Sequence, residues 1–195
     1  MRKILLALTA LMVVSSASAQ VSYVDMLRAR SKDAPRYEHP ASLTPVEGTN
    51  KYMRIDNEAN AVVFYNYDNP TIGDIVLTAD NPILSFSLSP DASMVLFEQL
   101  DNEGNSPRNE IYRHSFTSDF KLWVGDKRNS TVATFGDVRD VTFSPDSRHL
   151  AMSFDNNLYI YTIADDKLTK ITDDGRWNHI INGTTDWVYE EEYGF

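Results

Sequence analysis

Three consecutive carboxylates, Glu190-Glu191-Glu192, stand between Trp187 and Tyr189 on one side and Tyr193 and Phe195 on the other. Like charges this close repel one another, and apolar rings beside them raise the cost of keeping them ionised. A cation that all three can approach offsets that cost. On its own an acidic run reads as a solvated surface; the aromatic flanks weigh against that reading here. A second candidate is Arg113, in the run Arg113-His114-Ser115-Phe116-Thr117. By residue type alone it is a strand residue in a surface ion pair, with a planar donor fork that suits a carboxylate or a carbonyl. His114 reads as a packing or hydrogen-bonding residue rather than a catalyst. Trp187 and Tyr189 read as core anchors that fix the acidic motif, and Trp123 and Trp177 as core.

Other chemistry is missing from the sequence. There is no cysteine, so thiolate zinc sites and disulfides are excluded. The four histidines, His39, His114, His149 and His179, show no H-x-x-x-H or H-E-x-x-H spacing, and neither a metal site nor a cofactor is expected. A serine nucleophile elbow, G-x-S-x-G, is also absent. The nearest approach, Gly104-Asn105-Ser106-Pro107-Arg108, lacks the second glycine and sits among turn residues. No catalytic residue is assigned.

The elements that must carry these groups read as strands. Ser89-Pro90-Asp91 recurs as Ser144-Pro145-Asp146, 55 residues on, and each turn follows an alternating strand and precedes an apolar one, Met94–Phe97 or His149–Met152. Proline presets φ for such a turn, and Asp bonds its own backbone. A period near 40–50 residues, with an insertion, points to a propeller of stacked blades. Alternation and β-branched or aromatic content predict further strands at Ala61–Tyr67, Ile72–Thr78, Glu110–Phe116, Phe120–Val124, Thr131–Phe135, Leu158–Ile163 and Lys167–Thr172. Tyr23–Arg30 reads as a short helix. Residues 33–48 carry three prolines and read as a linker or an irregular first strand. Glu190–Glu192 fit one helical turn, which aims neighbouring side chains about 100° apart.

At the N-terminus, Arg2 and Lys3 precede the apolar run Ile4–Val14 and the small-residue triplet Ala17-Ser18-Ala19. That order is a secretory signal, with cleavage before Gln20, and predicts export to the periplasm or the medium. No run of 18 apolar residues is present, so no membrane span is expected. Removing the leader leaves 16 basic against 28 acidic residues, a net charge of −12. Such a balance excludes a basic nucleic-acid-binding surface and suits a ligand that carries positive charge. The expected organisation is a signal peptide over 1–19, an N-terminal segment over 20–50, and the first propeller blades over 51–195.

Asp186-Trp187-Val188-Tyr189-Glu190-Glu191-Glu192 resembles the glutamate motif in the propeller of the dipeptidyl peptidase IV family, and Arg113-His114-Ser115-Phe116-Thr117 is similar to that family's R-H-S-[YF]-T segment. The resemblance runs from Tyr52 to Phe195, with both motifs in the family's order. It implies an all-β chain, a partial β-propeller of roughly three four-stranded antiparallel blades. It also implies an exported serine exopeptidase that releases Xaa-Pro or Xaa-Ala dipeptides. Glu191 and Glu192 then bind the free α-amine of the peptide, Arg113 its backbone or carboxylate, and Glu190 is the flanking member. The family's propeller has eight blades and is followed by an α/β-hydrolase domain bearing the triad. By that measure this chain is a fragment, a truncated reading frame or a deliberately cut piece, inactive alone, whose partners are peptides and the hydrolase domain. A homodimer is open for the full-length parent. The other reading is a non-enzymatic, TolB-like propeller that binds a protein or peptide. A related prolyl tripeptidyl peptidase fits less well, because it departs from the triple Glu.

Overall fold

A computed structural model describes residues 42–125 and 130–193. The predicted leader and the Tyr23–Arg30 helix lie outside the described residues. The regular secondary structure of the described chain is nearly all strand. The first blade is an antiparallel meander of β1 (Thr44–Val46), β2 (Lys51–Asp56), β3 (Ala61–Asn66) and β4 (Asn69–Thr78). The second is β5 (Ile83–Leu88), β6 (Met94–Gln99), β8 (Ser115–Val124) and the first half of β9 (Ser130–Phe143), with a short β7 (Asn109–Tyr112) inserted before β8. The third is the second half of β9 with β10 (His149–Phe154), β11 (Asn157–Thr162) and β12 (Lys167–Lys170). These are three blades of four antiparallel strands in an unclosed array, a partial propeller.

β9 belongs to two blades because it changes direction midway. Its first half pairs β8, ending at Ser118 opposite Val138; its second pairs β10, beginning at Arg139 opposite Ser153. Asp137 and Asp140 take left-handed backbone angles, φ 55° and 52°, on either side of this switch. Short polar residues tolerate that conformation best among those with a Cβ.

Strand alternation places the core. Along β6, Met94 and Leu96 face the third blade, where they join Leu122, Leu150, Met152 and Tyr161. Val95 and Phe97 face the first blade with Met53, Val62, Leu77 and Trp123. A strand buried on both faces reads as a continuous apolar run, as Met94-Val95-Leu96-Phe97 does. Each such side chain contributes about 1.5–3 kcal/mol, and blades cohere because neither face of the middle one could be left in water.

The repeated Ser-Pro-Asp turns are the same turn. Met94 N–H donates to Ser89 Oγ at 3.0 Å, and His149 N–H to Ser144 Oγ at 3.0 Å. Ala92 and Ser147 close them at φ 56° and 58°. Asp91 N–H donates to Ser147 Oγ at 3.1 Å, so the two turns also touch.

Three expectations are corrected. Glu110–Phe116 is a hairpin rather than one strand: Tyr112 pairs Ser115, and Arg113-His114 is the two-residue turn. A two-residue loop keeps side-chain alternation in step, and no Gly or Asn marks this one. Phe120–Val124 and Thr131–Phe135 are parts of longer strands, β8 and β9, whose bulges interrupt the pattern without ending them. Trp177, Trp187 and Tyr189 are about half exposed rather than core, unlike Trp123. Trp177 stacks on Tyr112 at the surface, 6.0 Å between centroids.

One buried residue in β6 breaks the apolar run. Glu98 is 2% exposed and accepts from Arg108 Nη2 at 2.6 Å, Arg108 Nε at 2.9 Å, Ser118 Oγ at 2.5 Å and Ser85 Oγ. Burial opposes its ionisation, but these donors outweigh burial and hold the carboxyl below its ordinary value. The folded protein therefore binds this proton less readily than the unfolded chain. The contribution is full above the unfolded glutamate value of about 4.3 and is lost as pH falls through the lower folded value. Thermal melts from pH 7 to pH 3 are expected to decline more steeply for the native chain than for Glu98→Gln; parallel declines would refute this role.

Candidate functional site

The β7–β8 hairpin is an arm whose tip carries Arg113 and His114. It meets a single π-helical turn, Tyr189–Tyr193, that holds the three glutamates. Asp186 starts that turn: its Oδ1 accepts Val188 N–H at 3.0 Å and Tyr189 N–H at 3.3 Å. An aspartate at this position satisfies amides that a helix start leaves unpaired.

On a tight helical turn successive side chains diverge, and the three carboxylates do so. Glu190 is 6% exposed. Its Oε1 accepts from Arg139 Nη2 at 2.6 Å and Thr185 Oγ1 at 3.4 Å, and its Oε2 from Ser115 Oγ. Glu191 is buried as well: Oε2 accepts Arg113 Nε at 3.1 Å and Oε1 accepts the main-chain N–H of His114 at 2.7 Å. Arg113 Nη2 also reaches the Glu191 carbonyl at 3.4 Å. Glu192 is exposed. A single cation approached by all three carboxylates is therefore not what the turn offers. Glu190 is committed to Arg139 and Ser115, Glu191 to Arg113 and the His114 amide, and of the three only Glu192 faces solvent.

The charges nearly cancel. Arg113 and Arg139 balance Glu191 and Glu190, and among the described residues Glu192 forms no ion pair. The three glutamates and two arginines thus carry one net negative charge, to which Asp186 at the start of the turn and Asp140 beside Arg139 add further acidic groups. Asp140, next to Arg139, is exposed at its edge. Water removed by the surrounding protein raises its carboxyl above the ordinary value; Arg139 opposes the rise and Glu190 adds to it. Behind the arm, a cavity of about 420 Å³ is bordered by Glu98, His114, Ser115, Arg139, Asp140 and Glu190.

Arg113 and Glu191, predicted from the motifs, are thus in contact across 78 residues of sequence. His114 acts through its backbone amide, and its side chain is exposed rather than packed. Sequence reading missed Arg139, Ser115 and Asp186. Only Asp186 had a local signal, an acidic residue just ahead of a short helical turn. Arg139 had none, because its partner lies 51 residues away. Among the described residues no group of three His, Asp or Glu side chains is placed to hold a metal ion, and no helix is long and apolar enough to cross a membrane.

Residues 89–194 match the family model described as the dipeptidyl peptidase IV (DPP IV) N-terminal region. The chain belongs to this family. It is 33% identical to dipeptidyl peptidase 4 of Sus scrofa over 109 residues, 55% of this chain and 13% of that protein. It is 29% identical to prolyl endopeptidase FAP of Mus musculus over 145 residues, 70% of this chain and 18% of that protein. The crystal structure of Porphyromonas gingivalis dipeptidyl peptidase 4 superposes with a TM-score of 0.68 at 28% identity, covering 80% of this chain and 22% of that one. The chain therefore spans less than a quarter of the length of these DPP IV relatives, and the matched stretch includes both the arm and the glutamate turn.

Proposed function

We propose that this chain is the substrate-anchoring part of a secreted DPP IV-like serine exopeptidase, with Glu191 and Glu192 binding the peptide's free α-amine. The observation that carries the reading is the Arg113–Glu191 contact, which builds one half-buried cradle from the two motifs. An α-ammonium offers three donors and one charge. Glu191 has lone pairs beyond its two donors but its side chain is only 4% exposed, so Arg113 must turn aside before an ammonium reaches it; exposed Glu192 supplies the uncompensated charge. Arg113, whose side chain is 69% exposed, can turn its free N–H groups to a substrate carbonyl. Glu190 supports the turn from behind.

Such a cradle acts as a ruler. It selects a chain terminus and sets how many residues extend to the nucleophile, so dipeptides with Pro or Ala at the second position are released. The gain is orientation: the scissile bond is held in a near-attack geometry. Capture of an N-terminal amine is an established recognition mode. The nucleophile, His and Asp belong to an α/β-hydrolase domain, and the 195 residues alone are expected to hydrolyse no Ala-Pro chromogenic amide. Export is expected to leave a chain beginning at Gln20, which mass spectrometry of the secreted protein reads directly; an intact Met1 would refute it.

The deciding experiment compares an Ala-Pro-Ala tripeptide with its N-acetyl form, by binding to this chain. The free amine is expected to bind at least tenfold more tightly. Equal affinity would remove the amine site and leave a peptide-binding propeller or an endopeptidase, the class for which prolyl endopeptidase FAP is named.

A further inference from the structure

We propose that Glu98 and Arg108 form a positioning latch at the root of the β7–β8 arm: buried Glu98 and the partly exposed Arg108 hold its tip so that Arg113 and the His114 amide stay registered on Glu191. The inference rests on the reading of Glu191 and Glu192 as amine ligands, and neither latch residue touches the peptide.

Arg108 immediately precedes β7 and donates two hydrogen bonds to Glu98 of β6, at 2.6 and 2.9 Å. Its guanidinium also lies over the Phe116 ring of β8, 4.3 Å from the centroid. Glu98 further accepts from Ser118 of β8 and Ser85 of β5. One fully buried carboxylate thus ties together both arm strands and the body of the second blade. A fork-to-carboxylate pair fixes orientation as well as distance.

Geometry makes this root matter. From Arg108 to Arg113 is five residues, about 15 Å at strand rise. A swing of about 10° at the root would then move the tip by roughly 2.5 Å, enough to break a hydrogen bond of ordinary length. Two of the other ties are weaker, while near the tip Ser115 Oγ of β8 donates to buried Glu190. Asn109 Nδ2 and Thr117 Oγ1 both donate to Asp137, the former at 3.3 Å, in exposed positions where water competes. At the tip, Arg113 is largely exposed. The Glu98 carboxylate is buried but Arg108 is 38% exposed, so the hold of this root rests on the two-bond fork and the Phe116 ring rather than on exclusion of water from both partners.

The test uses this chain with Arg108→Ala, Arg108→Lys and Glu98→Gln, read by amide hydrogen exchange and by Ala-Pro-Ala binding. In Arg108→Ala, amides 109–117, that of His114 above all, are expected to exchange at least tenfold faster, with those of β10 and β11 unchanged. Affinity for the tripeptide is expected to fall about tenfold, with Arg108→Lys intermediate because it keeps the charge without the fork. Unchanged exchange in the arm overturns the latch. So does faster exchange with unchanged affinity, or equal loosening of β10 and β11, which would make the pair a support of the whole blade. Should Glu98→Gln fail to fold, the two Arg108 variants still decide. Should the native chain bind free and N-acetylated peptide equally, the amine reading falls, and exchange at the His114 amide alone judges the latch.

Discussion

If the proposed function holds, Glu191→Ala in a full-length peptidase carrying this segment is expected to lower kcat/KM for Ala-Pro substrates by roughly a thousandfold, and Glu192→Ala by about thirtyfold. Truncating one partner of a desolvated, hydrogen-bonded charge pair costs about 2–5 kcal/mol, and about 1.4 kcal/mol is a factor of ten. The two glutamates fall at opposite ends of that range for a structural reason. Glu191 is buried, and its loss also strands Arg113 Nε and the His114 amide. Glu192 is exposed, where water and salt screen its charge. The ratio between native enzyme and either variant should narrow above about pH 8, where the substrate amine loses its proton and the native enzyme loses its advantage. Steady-state kinetics from pH 6 to pH 9.5 reads both effects. Losses below twofold for both variants would remove the reading of the turn as an amine site.

What the sequence disclosed, and what it hid, follows the reach of each interaction. The blades were legible because alternation and Ser-Pro-Asp turns are local: Ser89 and Ser144 bond amides five residues on. The arm was not, since the Arg113-His114 turn preserves the alternation of the strands it joins. Arg113 and Glu191 were legible as motif residues, but their contact spans 78 positions. The different fates of three identical glutamates were hidden for the same reason. Nothing in Glu190-Glu191-Glu192 says which members turn inward. Glu190 is drawn in by Arg139, delivered where β9 passes from one blade to the next between Asp137 and Asp140, and Glu191 by Arg113 and the His114 amide at the tip of the arm. Glu98 was read as part of no site because a buried glutamate needs donors from β5, β8 and the arm root, all distant in the chain.

Arg139→Ala is expected to destabilise the chain by about 3–5 kcal/mol, more than any other single change at the glutamate turn. Breaking a buried ion pair by removing one member leaves the other charge without compensation. Arg139 is 17% exposed and Glu190 6%, so little water can take the arginine's place. Ser115 Oγ and Thr185 Oγ1 would remain on Glu190, but they carry dipoles rather than charge. Asp140 makes the effect depend on pH. Although Asp140 is exposed at its edge, desolvation by the surrounding protein already raises its carboxyl, with Arg139 the opposing charge. In the variant that opposition is gone, and the folded state holds this proton still more readily than the unfolded chain. A raised carboxylate value means stability that increases as pH falls through it, so the deficit of Arg139→Ala should shrink on mild acidification. A variant that lost only packing would show no such recovery. Pairing the changes offers the control: Arg139→Met with Glu190→Gln removes both charges and is expected to regain most of the loss. Urea unfolding at pH 7.5 and pH 5 measures all of these. A cost under about 0.5 kcal/mol for Arg139→Ala, or a double variant no better than the single, would mean that Glu190 is held in place by the turn itself and that Arg139 is incidental to it.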